Sequence, residues 1–218
     1  MPMLMKSQEV NIDVGRTGVK GDLFMPDAGK GLVIFSHGSG SSRKSPRNAF
    51  VAEQLHQYDF ATLLIDLLTP DEDADYSNRF NIDLITRRLV HITEWTQKYT
   101  GLKNLPTGYF GASTGAAAAL RAASITGDSI HAIVSRGGRP DLAGQALTVI
   151  RAPTLLIVGS LDLPTIEVNR QAFFLLAGEK KLEIVEGASH LFEEDDTLRQ
   201  VSILAARWFH RYLIRHQK

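Results

Sequence analysis

Gly111-Ala112-Ser113-Thr114-Gly115 lies between a short apolar run at residues 107–110 and an alanine-rich helical run at 116–123. That context decides how the five residues read. A serine at a sharp strand-to-helix turn is lifted out of the sheet, with its hydroxyl accessible and backbone N–H groups close by. Side chains two residues before and after it would collide across so tight a turn, so both positions are glycine. Gly and Ser each make up near 7% of residues, so roughly 0.07 such patterns arise by chance in a chain of this length. Ser113 is therefore read as an exposed nucleophile at the end of a parallel strand.

On both sides of this turn, apolar runs of strand length alternate with helical patterns, the signature of an α/β protein with a mainly parallel sheet. Residues 10–14 and 19–25 read as a leading hairpin turned at Gly15 to Gly18. Strands are expected at 32–36, 61–66, 107–110, 132–135, 154–158 and 182–185. Helices are expected at 48–58, 81–99, 166–176 and 198–214, with Ile82, Ile85, Leu89, Ile92 and Trp95 on one stripe of the second. Residues 137–152 leave room for only a small helix, so the site should be shallow and open. No repeat or low-complexity tract interrupts the 218 residues, which read as one domain, 1–218.

Composition narrows the function. Twenty-four basic and 24 acidic residues cancel, which argues against a nucleic-acid or membrane-surface partner. The chain has no Cys, hence no disulfide and no thiolate metal site. Residues 1–10 carry one Lys and no long apolar core, so no signal peptide is expected, and no apolar run approaches the roughly 20 residues of a membrane helix. A cytoplasmic protein, monomeric or homodimeric and acting on a small molecule, is the expectation.

Ser113 needs a base within hydrogen-bond reach, and the base needs an orienting acid. In open parallel sheets such groups collect beyond the carboxyl ends of the strands. Asp162 follows the strand at 154–158 and His190 follows the strand at 182–185. Asp141, after the preceding strand, is the rival acid. His190 stands out among seven histidines: His56, His91, His210 and His216 fall in or beside helices, and His131 precedes a strand. An acyl-transfer intermediate needs two N–H donors for its oxyanion. One is expected from Thr114. The other is expected from the loop Ser36-His37-Gly38-Ser39-Gly40-Ser41-Ser42, with Ser39 as donor and Gly40 as the close alternative and a substrate contact. His37 is expected to order this loop.

Arg43, Lys44 and Arg47 follow the same loop, and Arg136 and Arg139 flank Gly137-Gly138. Arginine suits bidentate binding of a carboxylate. Arg43 and Arg136 are accordingly candidate contacts for an anionic substrate group, although both read equally well as solvated or structural arginines. Asp71-Glu72-Asp73-Ala74-Asp75 reads as a solvated acidic loop. Glu193-Glu194-Asp195-Asp196 suits the positive end of the last helix. No calcium loop, H-E-x-x-H or Walker phosphate cradle is present, so neither metal nor organic cofactor is expected.

Ser36-His37-Gly38, Gly111 to Gly115, Asp162 and His190 together resemble the α/β-hydrolase superfamily over nearly the whole chain. The short, uncapped length is similar to the dienelactone-hydrolase-like branch. The resemblance implies an eight-stranded, mainly parallel sheet without a large cap and a Ser113–His190–Asp162 ester-cleaving site. Dienelactone hydrolases proper use a cysteine nucleophile. The matching position here is Ser113, which implies ordinary carboxylic esters. Thioesterase, lactonase, acyltransferase or perhydrolase chemistry would use the same machinery, and a ligand-binding member without turnover is the alternative of a different class.

Overall fold

A computed structural model describes residues 6–214, whose frame is one eight-stranded sheet. β1 (Lys6–Asp13) and β2 (Gly18–Met25) form an antiparallel hairpin. β3 (Gly31–Ser36), β4 (Phe60–Ile65), β5 (Thr107–Ala112), β6 (Ile130–Arg136), β7 (Thr154–Gly159) and β8 (Lys180–Val185) run parallel to one another. The spatial order is β1-β2-β4-β3-β5-β6-β7-β8, with β2 antiparallel to β4. β3, β4, β5 and β7 are buried at every residue, so they read as unbroken apolar runs rather than alternating ones. The edge strand β8 is half-exposed and carries Lys180, Lys181 and Glu183, charges that discourage pairing with another chain.

Helices cover both faces. α3 (Ile82–Lys98), α4 (Thr114–Thr126) and α5 (Leu163–Leu175) lie on one; α1 (Pro46–His56) and α6 (Thr197–Leu213) lie on the other. Strand alternation divides the core between them. Ile34, Tyr109, Ile133 and Leu156 join the first side, and their neighbours Phe35, Phe110, Val134 and Leu155 join the second. Ala116 to Ala119 at the start of α4 are all fully buried, and their small size lets that helix sit close to the sheet.

Helix onset differs from the expectation at two places. α1 begins at Pro46 and α5 at Leu163, two or three residues early, because a proline in the first turn loses no hydrogen bond there. The acidic run is a correction. Residues Pro70–Ala74 form a short helix, α2, with a complete capping box between Thr69 and Glu72. Residues 137–152 hold only a 3₁₀ run, Pro140–Val149, kinked at Gly144. Among the described residues no helix is long and apolar enough to cross a membrane, and no cluster of His, Asp and Glu could hold a metal. His216 and residues 1–5 of the N-terminal stretch lie outside the described residues.

Candidate active site

Ser113 joins β5 to α4 with φ 50° and ψ −123°, a strained conformation for a residue with a side chain. Its neighbours explain why the strain holds. A Cβ at Gly111 would sit 2.5 Å from Ala116 Cα, inside the helix that follows. A Cβ at Gly115 would sit 2.2 Å from Ser36 O and 2.3 Å from His37 O. The first glycine lets the turn close, as the sequence suggested. The second lets the loop after β3 come against the turn, a different collision from the one expected. Ser113 makes no side-chain cap of α4, so its hydroxyl is not spent on helix ends.

Asp162 ends the turn after β7, and His190 lies in the loop between β8 and α6. His190 Nδ1 is 2.6 Å from Asp162 Oδ2. Asp162 is nearly enclosed, with an 11% exposed side chain, whereas the imidazole is 41% exposed. Nδ1 thus carries a proton toward the carboxylate and Nε2 is left to accept another. The rival Asp141 is taken up by Arg139, which donates to both its oxygens at 2.9 and 2.6 Å.

Backbone ties the imidazole to the elbow. Ser113 N–H donates to Arg136 O at 3.2 Å. Next in the chain, Gly137 has φ +51°, and a Cβ there would lie 3.6 Å from His190 Nδ1 and Cε1 and 3.0 Å from His190 O. The ring rests on that glycine. Ser113 Oγ makes no hydrogen bond to His190 here, and such catalytic bonds often tighten only in a substrate complex. The His190 loop is itself braced, because Glu194 accepts the Ser189 N–H at 3.0 Å. Glu193 pairs with Arg47 at 3.0 Å. These two carboxylates hold the loop rather than cap α6, and nothing in the sequence pattern pointed to that.

The loop after β3 comes against the elbow. A Cβ at Gly38 would be 3.0 Å from Ser113 Cβ and 3.7 Å from its Oγ. Inside the loop, Leu67 N–H donates to His37 Nε2 at 3.1 Å, so His37 Nδ1 holds the proton and donates to Gly38 O at 2.9 Å. Burial lowers the affinity of this ring for a second proton, which preserves the neutral form those two bonds require. The Ser39 amide, the expected second donor, is already engaged. Its N–H donates to Thr114 Oγ1 at 2.9 Å, because the Thr114 side chain from the first turn of α4 reaches across to it. An oxyanion can use that amide only if Thr114 Oγ1 gives way. The Thr114 amide is one of the first-turn N–H groups that a helix leaves without a partner. Gly40 is exposed at the loop's turn, with φ +69°.

Arg43 is committed to other side chains. It donates to Asp66, Asp22 and Glu9 at 3.1, 3.1 and 2.7 Å and has no charge to spare for a substrate. Arg136, in contrast, is buried and makes no ion pair among the described residues. Arg79, not singled out in the sequence, pairs with Asp73 and lies against Gly40. With Leu67, Leu68 and Thr114 it encloses a cavity of about 10 Å³ at this loop, room for one water. A much larger cavity, about 810 Å³, is walled by Met25, Trp95, Lys98 and Tyr99, away from all of these residues.

A solved dienelactone hydrolase from Anabaena variabilis ATCC 29413 has 49% sequence identity to this chain, covers 96% of it and 99% of that chain, and superposes with a TM-score of 0.93. The chain belongs to the dienelactone hydrolase family. This α/β-hydrolase member shares its fold, at 17% identity and a TM-score of 0.77, with an esterase domain from a Rhodothermus marinus protein, covering 95% of this chain and all of that one. A protein of Mycobacterium tuberculosis (strain H37Rv), provisionally named a phosphoribosyl transferase, is 50% identical over 205 residues, 94% of this chain. The chain spans about half, 46%, of that relative's length. No family model matches.

Proposed function

We propose that the chain is a serine carboxylesterase of small acyl esters. His190 Nε2 takes the Ser113 proton as Oγ attacks the ester carbonyl. Asp162 keeps the imidazole oriented and stabilises the imidazolium that forms. The Thr114 amide holds one side of the oxyanion, and the Ser39 amide joins it when released from Thr114 Oγ1. His190 then protonates the departing alcohol, and water, activated by the same ring, frees the acyl group and restores Ser113. No step calls for a metal or organic cofactor.

The single observation that carries this reading is the Asp162–His190 pair at 2.6 Å, placed at the strand ends where Ser113 is held in a strained turn. A thioester or lactone would meet the same groups. The transferase name of the mycobacterial relative belongs to a protein about twice as long as this chain.

The test is covalent labelling by a fluorophosphonate probe, run beside a panel of p-nitrophenyl esters. Labelling at Ser113 and turnover lost in Ser113→Ala are the expected results. A folded wild type that neither labels nor hydrolyses any ester would leave the non-catalytic, ligand-binding reading.

A further inference from the structure

Arg136 is the last residue of β6, in register with Ala112, the residue before Ser113. Ala132 and Val134 belong to the core on the α1 and α6 side, so strand alternation sends the Arg136 side chain to that side as well. There it lies against the Phe192 ring, with the guanidinium carbon 6.0 Å from the ring centroid, two residues beyond His190. Phe192 is itself buried and held at φ 57°.

Arg136 is only 7% exposed, yet its Nε and Nη1 are buried with no hydrogen-bond partner, and it makes no ion pair among the described residues. Arg47 is a cation close enough to repel it. Burial, and then repulsion from Arg47, pull the Arg136 guanidinium down to about 10, which still leaves it charged at neutral pH. Arg47 uses Nη1 on Glu193, while its own Nε is also buried and unpaired. Burying a charge without its counter-ion is expensive, and proteins avoid it unless a partner arrives. Three guanidinium nitrogens therefore lack an acceptor among the described residues, and Asn48 Oδ1, one residue from Arg47, is a buried acceptor without a donor there. The Arg47 side chain is 30% exposed, which opens the pair to solvent.

We propose that Arg136 and Arg47 form an anion-binding subsite beside the candidate catalytic serine, taking a planar or tetrahedral oxyanion group such as a carboxylate or phosphate. The group is either the acidic end of an ester substrate or a free small oxyanion. The first case rests on the esterase reading above; the second does not.

The binding arm uses Ser113→Ala protein titrated calorimetrically with inorganic phosphate and, separately, monomethyl succinate. At least one probe should bind, and adding Arg136→Met should weaken it by about tenfold or more, the scale of one or two charge-assisted hydrogen bonds. Arg136→Lys should restore only part, because it keeps the charge and loses the fork. Arg47→Met, at a more exposed position, gives the same reading if the Arg136 variants fold poorly. No binding of either probe, or equal binding after both Met substitutions, means a guanidinium that only supports the Phe192 loop, and overturns the proposal.

The turnover arm compares a neutral p-nitrophenyl ester with its ω-carboxylated counterpart of equal length. A carboxylated-to-neutral kcat/KM ratio that falls in Arg136→Met identifies the substrate's own acidic end. An unchanged ratio with phosphate inhibition weakened identifies a free oxyanion. A ratio and an inhibition both unchanged would sink the subsite. Wild type inert on both esters while binding persists would refute the esterase reading and leave the subsite standing.

Discussion

Ser113 shows how a single residue's backbone is made to serve its side chain. A positive φ costs on the order of 1–3 kcal/mol for a non-glycine, and it persists only where the surroundings over-determine it. Here the surroundings are the carbonyls of Ser36 and His37, pressed against Gly115 at the distance of a missing Cβ. Gly115→Ala must push the loop after β3 away from the elbow. We expect a loss of about 1–3 kcal/mol in urea denaturation together with a drop in kcat, because one displacement disturbs both core and oxyanion donors. The acid is decided on the same scale. Asp162→Asn keeps the shape but leaves His190 Nδ1 facing an amide that can present its N–H, so the wrong tautomer is favoured. Esterase kcat should fall on the order of 10³-fold or more. Asp141→Asn, which only loses the Arg139 pair at the surface, should change kcat by no more than about twofold. Equal losses in the two variants would remove Asp162 from its assigned place.

At the scale of elements, α2 is instructive. Asp71 to Asp75 reads in sequence as a solvated acidic loop, yet with Thr69 and Pro70 before it the run holds a capping-box pattern with proline at the first helical position. Glu72 then reaches further. Its second oxygen pairs with the buried Arg88 of α3, which also donates to Val14 O at 3.3 Å, so the short helix is pinned to the leading hairpin. Thr69→Ala should cost about 1 kcal/mol of stability by chemical denaturation. Arg88→Met should cost more, because it strands a half-buried carboxylate. The long elements were legible because burial on both faces leaves continuous apolar runs, as in β3 and β7, and because α3 shows its stripe. Their ends were not. Pro46 and Pro164 look like breakers until the first-turn geometry is known. The positions of the elbow after β5, of Asp162 after β7 and of His190 after β8 were legible because a motif and a chain order point to them. What Ser39, Arg43 and Arg136 do was not, since it depends on partners 20 or more positions away: Thr114 Oγ1 for the first, three carboxylates for the second, and the Phe192 ring for the third.

The molecule as a whole carries a pH response that follows from where its histidines are buried. His56 ends α1, stacks on Phe24 of β2 at 3.6 Å between centroids, and bonds Thr62 Oγ1 of β4 at 2.8 Å. Burial pushes it down from 6.5 to about 4. His37 is shifted the same way for the same reason. Both rings are neutral in the fold, one joining α1 to the sheet and the other joining the β3 loop to β4. In the unfolded chain each takes up a proton near pH 6.5, while the folded state holds off until about 4 for His56. The unfolded state therefore binds more protons throughout that window. The stability His56 contributes is complete above pH 6.5 and is lost progressively as the pH falls toward 4, and His37 acts in the same direction. Urea midpoints measured at intervals from neutral to pH 4.5 should decline, and His56→Gln, which does not titrate there, should give a shallower decline from a lower starting point. A variant whose midpoint parallels wild type at every pH would show that the His56 ring exchanges protons equally in both states, and that the contact between α1 and β2 is not what couples this fold to acid.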